Sequence, residues 1–161
     1  MMRFIGTKLI SAVSMNRLSY NTYRGWDLPR DENGEDRGYL VEYLDGGKSN
    51  HPDHAGYISW SPEEQFNSAY HSINSMSFGD AILMLKAGQR VARAGWNGKG
   101  MWLALIKGEN WGIGGKAPYD LPDGTHIYHA DFIAMKTAGN TFVPWLASQA
   151  DMLASDWAFI E

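Results

Sequence analysis

The sequence predicts an α+β protein of two small domains, each an antiparallel sheet with one or two short helices. Brief strand-like runs recur through its 161 residues, and serine caps stand before three short stretches with helical spacing. A short polar joint at residues 71–75 divides the chain, and five of the seven Trp residues lie after it. We therefore expect an N-terminal domain at residues 1–74 and a second domain at residues 75–161.

Strand-like segments, rich in branched and aromatic residues, occur in both halves. They lie at residues 4–12, 39–44, 57–60, 89–94, 101–106, 132–137, 141–145 and 157–160. Three antiparallel hairpins are expected: residues 39–44 with 57–60, residues 89–94 with 101–106, and residues 132–137 with 141–145. Val91 is expected to face inward. Residues 107–126 form a Gly- and Pro-rich loop, and loops of that length are usually functional or mobile.

Helix-start signals precede the short apolar stretches. The expected caps are Ser61, Ser77 and Ser148, and a further short helix over residues 16–23 ends at Gly25. After Ser61, Pro62 suits the first helical position and Glu64 closes a capping box. The second helix has Asp80 at the same spacing and ends at Gly88.

Composition excludes several classes of protein. There is no Cys, so disulfides, thiolate zinc sites and cysteine nucleophiles are absent. The net charge of −4 argues against a sequence-independent grip on nucleic acid. No apolar run approaches the length of a membrane span. These features predict a soluble, cytoplasmic protein.

Two histidine pairs with a spacing seen in metal sites invite a metal hypothesis: His51 with His54, and His126 with His129 near Asp131. Both pairs lie in stretches rich in Gly, Pro and Asp, where exposed histidines are common. The sequence therefore predicts no metal site.

No nucleophile elbow, phosphate-binding glycine loop or zinc-protease motif is present. Asp151 and Asp156 would make a carboxylate pair, but a solvated helix face is the favoured interpretation. The chain is not expected to be an enzyme.

Two segments are rich in groups that hold a polar, planar ligand. The first places a ring, an amide and a cation on one hairpin tip, and the second places a ring before a helix start, where backbone amides attract anions. The predicted ligand-binding residues are Trp96, Asn97, Lys99, Met101, Trp145, Ser148, Gln149 and Asp151. The alternative interpretation makes Trp96 and Trp145 core residues and Asn97 part of an ordinary turn.

Several of these segments resemble a known family. Residues 77–82, 85–88, 91–101, 132–139 and 143–157 closely resemble the second Thoeris anti-defense family of phage proteins. The resemblance covers residues 76–161. Residues 1–74 resemble a small phage domain of unknown role through residues 38–43 and 56–62. The loop at residues 107–131, with Trp111, Tyr119 and Tyr128, looks longer than in many members.

The resemblance implies a function. Members are homotetramers whose pockets sequester glycocyclic ADP-ribose made by Thoeris TIR-domain enzymes, and some also hold cyclic dinucleotides of CBASS systems at separate sites. They bind the signal in the host bacterial cytoplasm, without a cofactor and without cleaving it. The alternative is a phage structural or interaction protein that binds a host protein through an aromatic surface.

Overall fold

The computed structural model describes residues 2–3, 6, 8–108, 112–113, 122 and 127–161. The chain divides into two compact units, Met1–Tyr70 and His71–Glu161, so the boundary predicted after residue 74 lies just inside the second unit. Both units contain an antiparallel sheet and short helices, which confirms the predicted α+β class. Within the described ranges, no helix combines the length and apolarity that crossing a bilayer requires.

The first unit is a three-stranded sheet with its longest strand in the centre. In spatial order its strands are β1 (Ile10–Ser14), β2 (Gly38–Tyr43) and β3 (Ile58–Pro62). Helix α1 (Arg17–Arg24) begins at Asn16, whose side-chain oxygen accepts a hydrogen bond from the Ser19 amide at 2.8 Å. It ends at Gly25, which has a left-handed φ of 69° and so adopts the conformation that the sequence predicts there. The core of the first unit is built from Tyr20, Leu40 and Ile58.

The helix predicted to follow Ser61 begins later than expected. Helix α2 spans Glu63–Ala69, and its N-cap is Pro62, which makes no side-chain capping bond. Ser61 lies in β3 opposite Tyr39. This pairing keeps its backbone extended and leaves it outside the helix start. The predicted capping box of Ser61 and Glu64 is therefore wrong.

The second unit is a five-stranded antiparallel sheet. In spatial order its strands are β10 (Trp157–Ile160), β4 (Arg90–Arg93), β5 (Trp102–Ile106), β8 (Phe132–Lys136) and β9 (Phe142–Pro144). Two helices accompany it, α3 (Phe78–Lys86) and α4 (Gln149–Met152), and both begin with complete capping boxes. The predicted caps Ser77 and Ser148 are confirmed. The glycine that follows α3, Gly88, has a φ of 81°.

The core of the second unit lies between α3 and the sheet. Ala81 and Leu85 from the helix pack with Val91, Leu103 and Trp157 from the strands, and all five are at most 1% exposed. At about 25 cal/mol per Å² of apolar surface, Trp157 supplies the largest single burial in this core. The inward orientation predicted for Val91 is confirmed.

The long loop of the second unit contains a small hairpin. Strands β6 (Gly112–Ile113) and β7 (Ile127–Tyr128) pair antiparallel, whereas the sequence predicted a loop at residues 107–126 and the next strand only from residue 132. Trp111, Tyr119 and His126, which the sequence analysis singled out in this loop, lie outside the described residues.

Candidate functional site

A single carboxylate joins the two segments predicted to bind a ligand. Asp151 Oδ2 accepts hydrogen bonds from the Ser148 hydroxyl at 2.7 Å and the Ser148 amide at 3.1 Å. Its Oδ1 accepts from Arg93 Nη1 at 2.9 Å and from the Trp96 indole Nε1 at 3.3 Å. The residue is 9% exposed. The start of α4 is thereby tied to the tip of the β4–β5 hairpin.

These hydrogen bonds control the charge of Asp151. Burial by itself raises the pKa of its carboxyl, but the bonds from Ser148, Arg93 and Trp96 outweigh burial and lower the pKa to about 2. Asp151 is therefore ionised at neutral pH. The solvated position expected for it is wrong, because its side chain is buried and accepts hydrogen bonds from these three residues.

Arg93 lies between two carboxylates. Its Nε donates to Asp156 Oδ1 at 2.8 Å while Nη1 reaches Asp151, and the hydrogen bond from Arg93 lowers the pKa of Asp156. The other oxygen of Asp156 accepts the Gly95 amide at 2.8 Å. A Cβ on Gly95 would lie 2.9 Å from that oxygen, so glycine lets the turn approach the acid. The two acids therefore form a bridge through Arg93.

An aromatic cluster surrounds this network. The ring centroids of Trp96 and Trp145 are 6.3 Å apart, and each ring lies within 6.0 Å of Trp157. Trp157 is fully buried, whereas Trp96 and Trp145 are half-buried against the core. Both earlier interpretations therefore keep support, since these two rings pack on the core and also retain accessible surface.

The remaining predicted site residues surround the cluster less tightly. Asn97 and Lys99 are exposed in the turn after Gly95, Gln149 is exposed at the start of α4, and Met101 is half-buried. In the part of the chain that the structure describes, no hydrogen bond or ion pair links these four side chains to Asp151 or Arg93. Their role in binding stays a prediction.

Sequence analysis missed Arg93 as part of this site. Its partners lie 58 and 63 residues further along the chain, and no local motif marks such a contact. Arg93 could be recognised only from the pairing of β4 with β10. In that pairing Arg93 lies opposite Trp157, which places it beside the preceding residue, Asp156.

Two shallow grooves lie elsewhere on the second unit. One, of about 450 Å³, is bordered by Ile82, Leu105 and Ile133. The other, of about 340 Å³, is bordered by Phe132, Phe142 and Pro144. Among the described residues, none of the eight predicted binding residues lines either groove.

The histidine pair of the first unit has protein partners. His54 lies between Tyr23 and Glu42, and His51 stacks on the Tyr23 ring. Across the described ranges, no group of three or more His, Asp or Glu side chains is placed to hold a metal ion. His126 of the second pair lies outside the described residues.

The second unit is thus a small α+β domain built around a capped helix, an acid–arginine bridge and a tryptophan cluster. The Thoeris anti-defense 2-like domain matches this chain over residues 76–160. The protein described as "Thoeris anti-defense 2" from Bacillus phage SP01 is 38% identical over 89 residues, which cover 53% of this chain and 94% of that relative. The chain belongs to the Thoeris anti-defense 2-like family through its second unit, and the resemblance inferred from the sequence is confirmed.

Proposed function

We propose that this chain is a phage anti-defense protein that binds and sequesters a cyclic nucleotide immune signal without cleaving it. The proposed ligand is glycocyclic ADP-ribose of the Thoeris system, with CBASS cyclic dinucleotides as further candidates, and the proposed location is the host bacterial cytoplasm. Family membership supports this role, because both the matching family and the similar protein from Bacillus phage SP01 are described as Thoeris anti-defense.

The observation that carries the proposal is the tie made by Asp151. It holds the indole N–H of Trp96 and closes the capping box of the helix that follows Trp145. The two half-buried rings also pack against each other and against Trp157, which restricts their movement. A rigid pair of accessible rings loses little conformational freedom when a planar base stacks on it. Stacking of this kind contributes about 1–3 kcal/mol for each base.

Exposed polar groups beside the rings supply hydrogen bonds and charge for the rest of the ligand. The Asn97 amide both donates and accepts, which suits a base or ribose edge. Lys99 supplies a positive charge for phosphate. Asp151 and Ser148 are already bonded to each other, so we assign them the positioning of the aromatic residues.

The state of the acids supports binding without cleavage. Asp151 has a pKa of about 2 and is bonded to Arg93, so near neutral pH it has no proton to donate and little basicity. Hydrogen bonding to Arg93 keeps the pKa of Asp156 low as well. Neither acid is suited to general acid or base catalysis at neutral pH.

The test follows the fate of the signal. Purified protein is incubated with glycocyclic ADP-ribose, removed by ultrafiltration, and then heated to release what it holds. Sequestration depletes the filtrate and returns intact ligand after heating. Recovery of a cleavage product would show an enzyme, and ligand left free throughout would favour a protein that binds a host partner.

Variants on the hairpin tip locate the binding site. Lys99→Ala and Asn97→Ala are each expected to weaken submicromolar binding, which corresponds to about −8 kcal/mol or stronger, by roughly tenfold in titration calorimetry. Lys48→Ala removes an exposed charge from the first unit and serves as the matched control. Equal affinities for all three variants would contradict this placement of the site.

Binding should fall only mildly as salt is added, because the attraction between a ligand and a site with few charges is weakly screened.

A second proposal concerns assembly, and exposed apolar residues favour it. Phe142, Leu146 and Leu153 are 54%, 92% and 85% exposed in the second unit, and surfaces of this kind commonly mark protein interfaces. We propose that they contribute to a homotetramer. A host protein is the alternative occupant of the same surface.

A further inference from the structure

Three side chains of the first unit form a continuous hydrogen-bonded chain. Tyr23 lies at the end of α1, Glu42 in β2, and His54 in the loop between β2 and β3. The Tyr23 hydroxyl oxygen is 2.9 Å from His54 Nε2, and His54 Nδ1 is 2.8 Å from Glu42 Oε2. In the neutral imidazole, the carboxylate accepts the proton on Nδ1, and Nε2 is then the acceptor to which the hydroxyl donates.

Glu42 is held firmly in this arrangement. Its second oxygen accepts the Gly56 amide at 2.9 Å, and its side chain is 18% exposed. Hydrogen bonds from His54 and then from Gly56 lower the pKa of Glu42. A Cβ on Gly56 would lie 2.1 Å from the carbonyl oxygen of Tyr43, so only glycine lets the loop approach this closely.

The Tyr23 ring is positioned by a second histidine. His51 stacks on it with ring centroids 4.4 Å apart and an interplanar angle of 21°. His51 Nε2 also lies 3.3 Å from the Tyr23 carbonyl oxygen. Tyr23 nevertheless remains 36% exposed, so a small molecule in solvent can reach it.

We propose that Glu42, His54 and Tyr23 form a relay that activates the Tyr23 hydroxyl as a nucleophile toward a neutral, activated carboxylic ester. An imidazole oriented by a carboxylate and bonded to a hydroxyl is the arrangement that activates nucleophiles in acyl transfer. The Tyr23 oxygen forms a bond to the acyl carbon as its proton passes to His54 Nε2. The acyl–oxygen bond of the ester breaks, and the leaving oxygen takes its proton from His54 or departs as an anion.

Local charge favours a neutral ester over a phosphoester. Glu42 is ionised beside His54, and the Asp53 carboxylate lies 3.9 Å from His51 Nδ1, so each of the two histidines that contact Tyr23 has an acidic neighbour. The adjacent basic residue, Arg24, packs over the Trp26 ring at 4.3 Å. An anionic substrate would be repelled here, whereas a neutral carbonyl compound would not.

The experiment uses p-nitrophenyl acetate as the probe and the full chain as the protein. Acetylated tyrosines are located by peptide mass spectrometry over time at neutral pH. Tyr57 is an internal control, because it is 47% exposed and has no histidine among its hydrogen-bond partners in the described residues. Tyr23 is expected to acetylate about a hundredfold faster than Tyr57, and equal rates would overturn the proposal.

Three variants separate activation from simple structural support. Tyr23→Phe keeps the stacked ring and should abolish acetylation of that peptide. His54→Gln and Glu42→Gln should slow Tyr23 acetylation by roughly tenfold or more and flatten its dependence on pH. Melting temperature is recorded for each variant. An unchanged pH profile in a folded Glu42→Gln protein would contradict the relay, and if a variant unfolds, the wild-type comparison of Tyr23 with Tyr57 still decides.

Discussion

Asp151 shows how much structure one buried carboxylate organises. It closes the capping box of α4, pairs with Arg93 and holds the indole of Trp96. Replacing the charge while keeping the shape leaves Arg93 short of a partner in a half-buried position, which is costly for the folded state. The stability of the second unit should therefore depend on the ionisation of this residue.

The first prediction concerns Asp151→Asn and acid. The pKa of Asp151 is lowered on folding from its ordinary 3.8 to about 2, so its stabilisation is present above about pH 4 and is lost as pH falls toward 2. The variant should be less stable near neutral pH by about 1–2 kcal/mol, allowing for solvent screening. Its stability should also fall less than that of the wild type between about pH 4 and pH 2.

Melting curves followed by tryptophan fluorescence check this prediction at each pH. Glu161→Gln, an exposed acid in the same unit, provides the control for general charge effects. A variant with the same acid dependence as the wild type would show that Asp151 is not the titrating group.

Site residues were predictable only where a local pattern marks them. Trp96 and Trp145 could be found because rings beside turns and helix starts are visible in the sequence. Arg93 could not be found, since its importance depends on the pairing of β4 with β10. The same limit applies to His54, whose position beside Tyr23 and Glu42 requires three separate elements to meet.

At the scale of elements, the helix starts divide into two kinds. Ser77 caps α3 through its hydroxyl, with the amide of Asp80 donating to it at 3.3 Å. Ser61 has a similar sequence context but lies at the end of β3. A substitution at each position therefore distinguishes a working cap from a sequence signal that the sheet overrides.

The second prediction compares Ser77→Ala with Ser61→Ala. Loss of the α3 cap should reduce the free energy of unfolding by about 1 kcal/mol. The change at Ser61 should cost less than about 0.5 kcal/mol, because that hydroxyl caps no helix. Urea denaturation followed by circular dichroism measures both, and equal losses would contradict the distinction.

The order of strands and helices was largely predictable because capping boxes, turn glycines and branched runs are local features. The α2 start was wrong because pairing with β2 fixes Ser61 in an extended conformation. The β6–β7 hairpin was missed for a related reason. Two-residue strands are too short to show an alternating pattern in the sequence.

At the scale of the whole molecule, uncovered apolar side chains are the main unexplained feature. Leu146 is 92% exposed and Leu153 is 85% exposed. Both flank α4, the helix whose capping box Asp151 closes. A charge introduced at such a position costs a monomer almost nothing, but in a subunit interface it would be buried and unpaired.

The third prediction tests assembly with Leu146→Glu. If the second unit carries the interface, this variant should shift the protein from tetramer to smaller species while its melting behaviour shows an intact fold. Multi-angle light scattering at micromolar concentration gives the mass. Leu44→Glu, at a 52% exposed position of the first unit, is the matched control. A wild-type monomer would contradict the tetramer, and dissociation by Leu44→Glu alone would assign assembly to the first unit.

The segment entering the second unit runs beside its final strand. Met76 and Trp157 exchange backbone hydrogen bonds of 2.7 and 3.2 Å, and the Phe159 amide donates to the Ile73 carbonyl at 2.9 Å. The point of entry and the point of exit are therefore neighbours, which is the geometry of an insertable module. Such a module can be spliced into a surface loop of an unrelated carrier, or circularly permuted with new ends opened at the tip of the β8–β9 hairpin, without breaking any strand of its sheet.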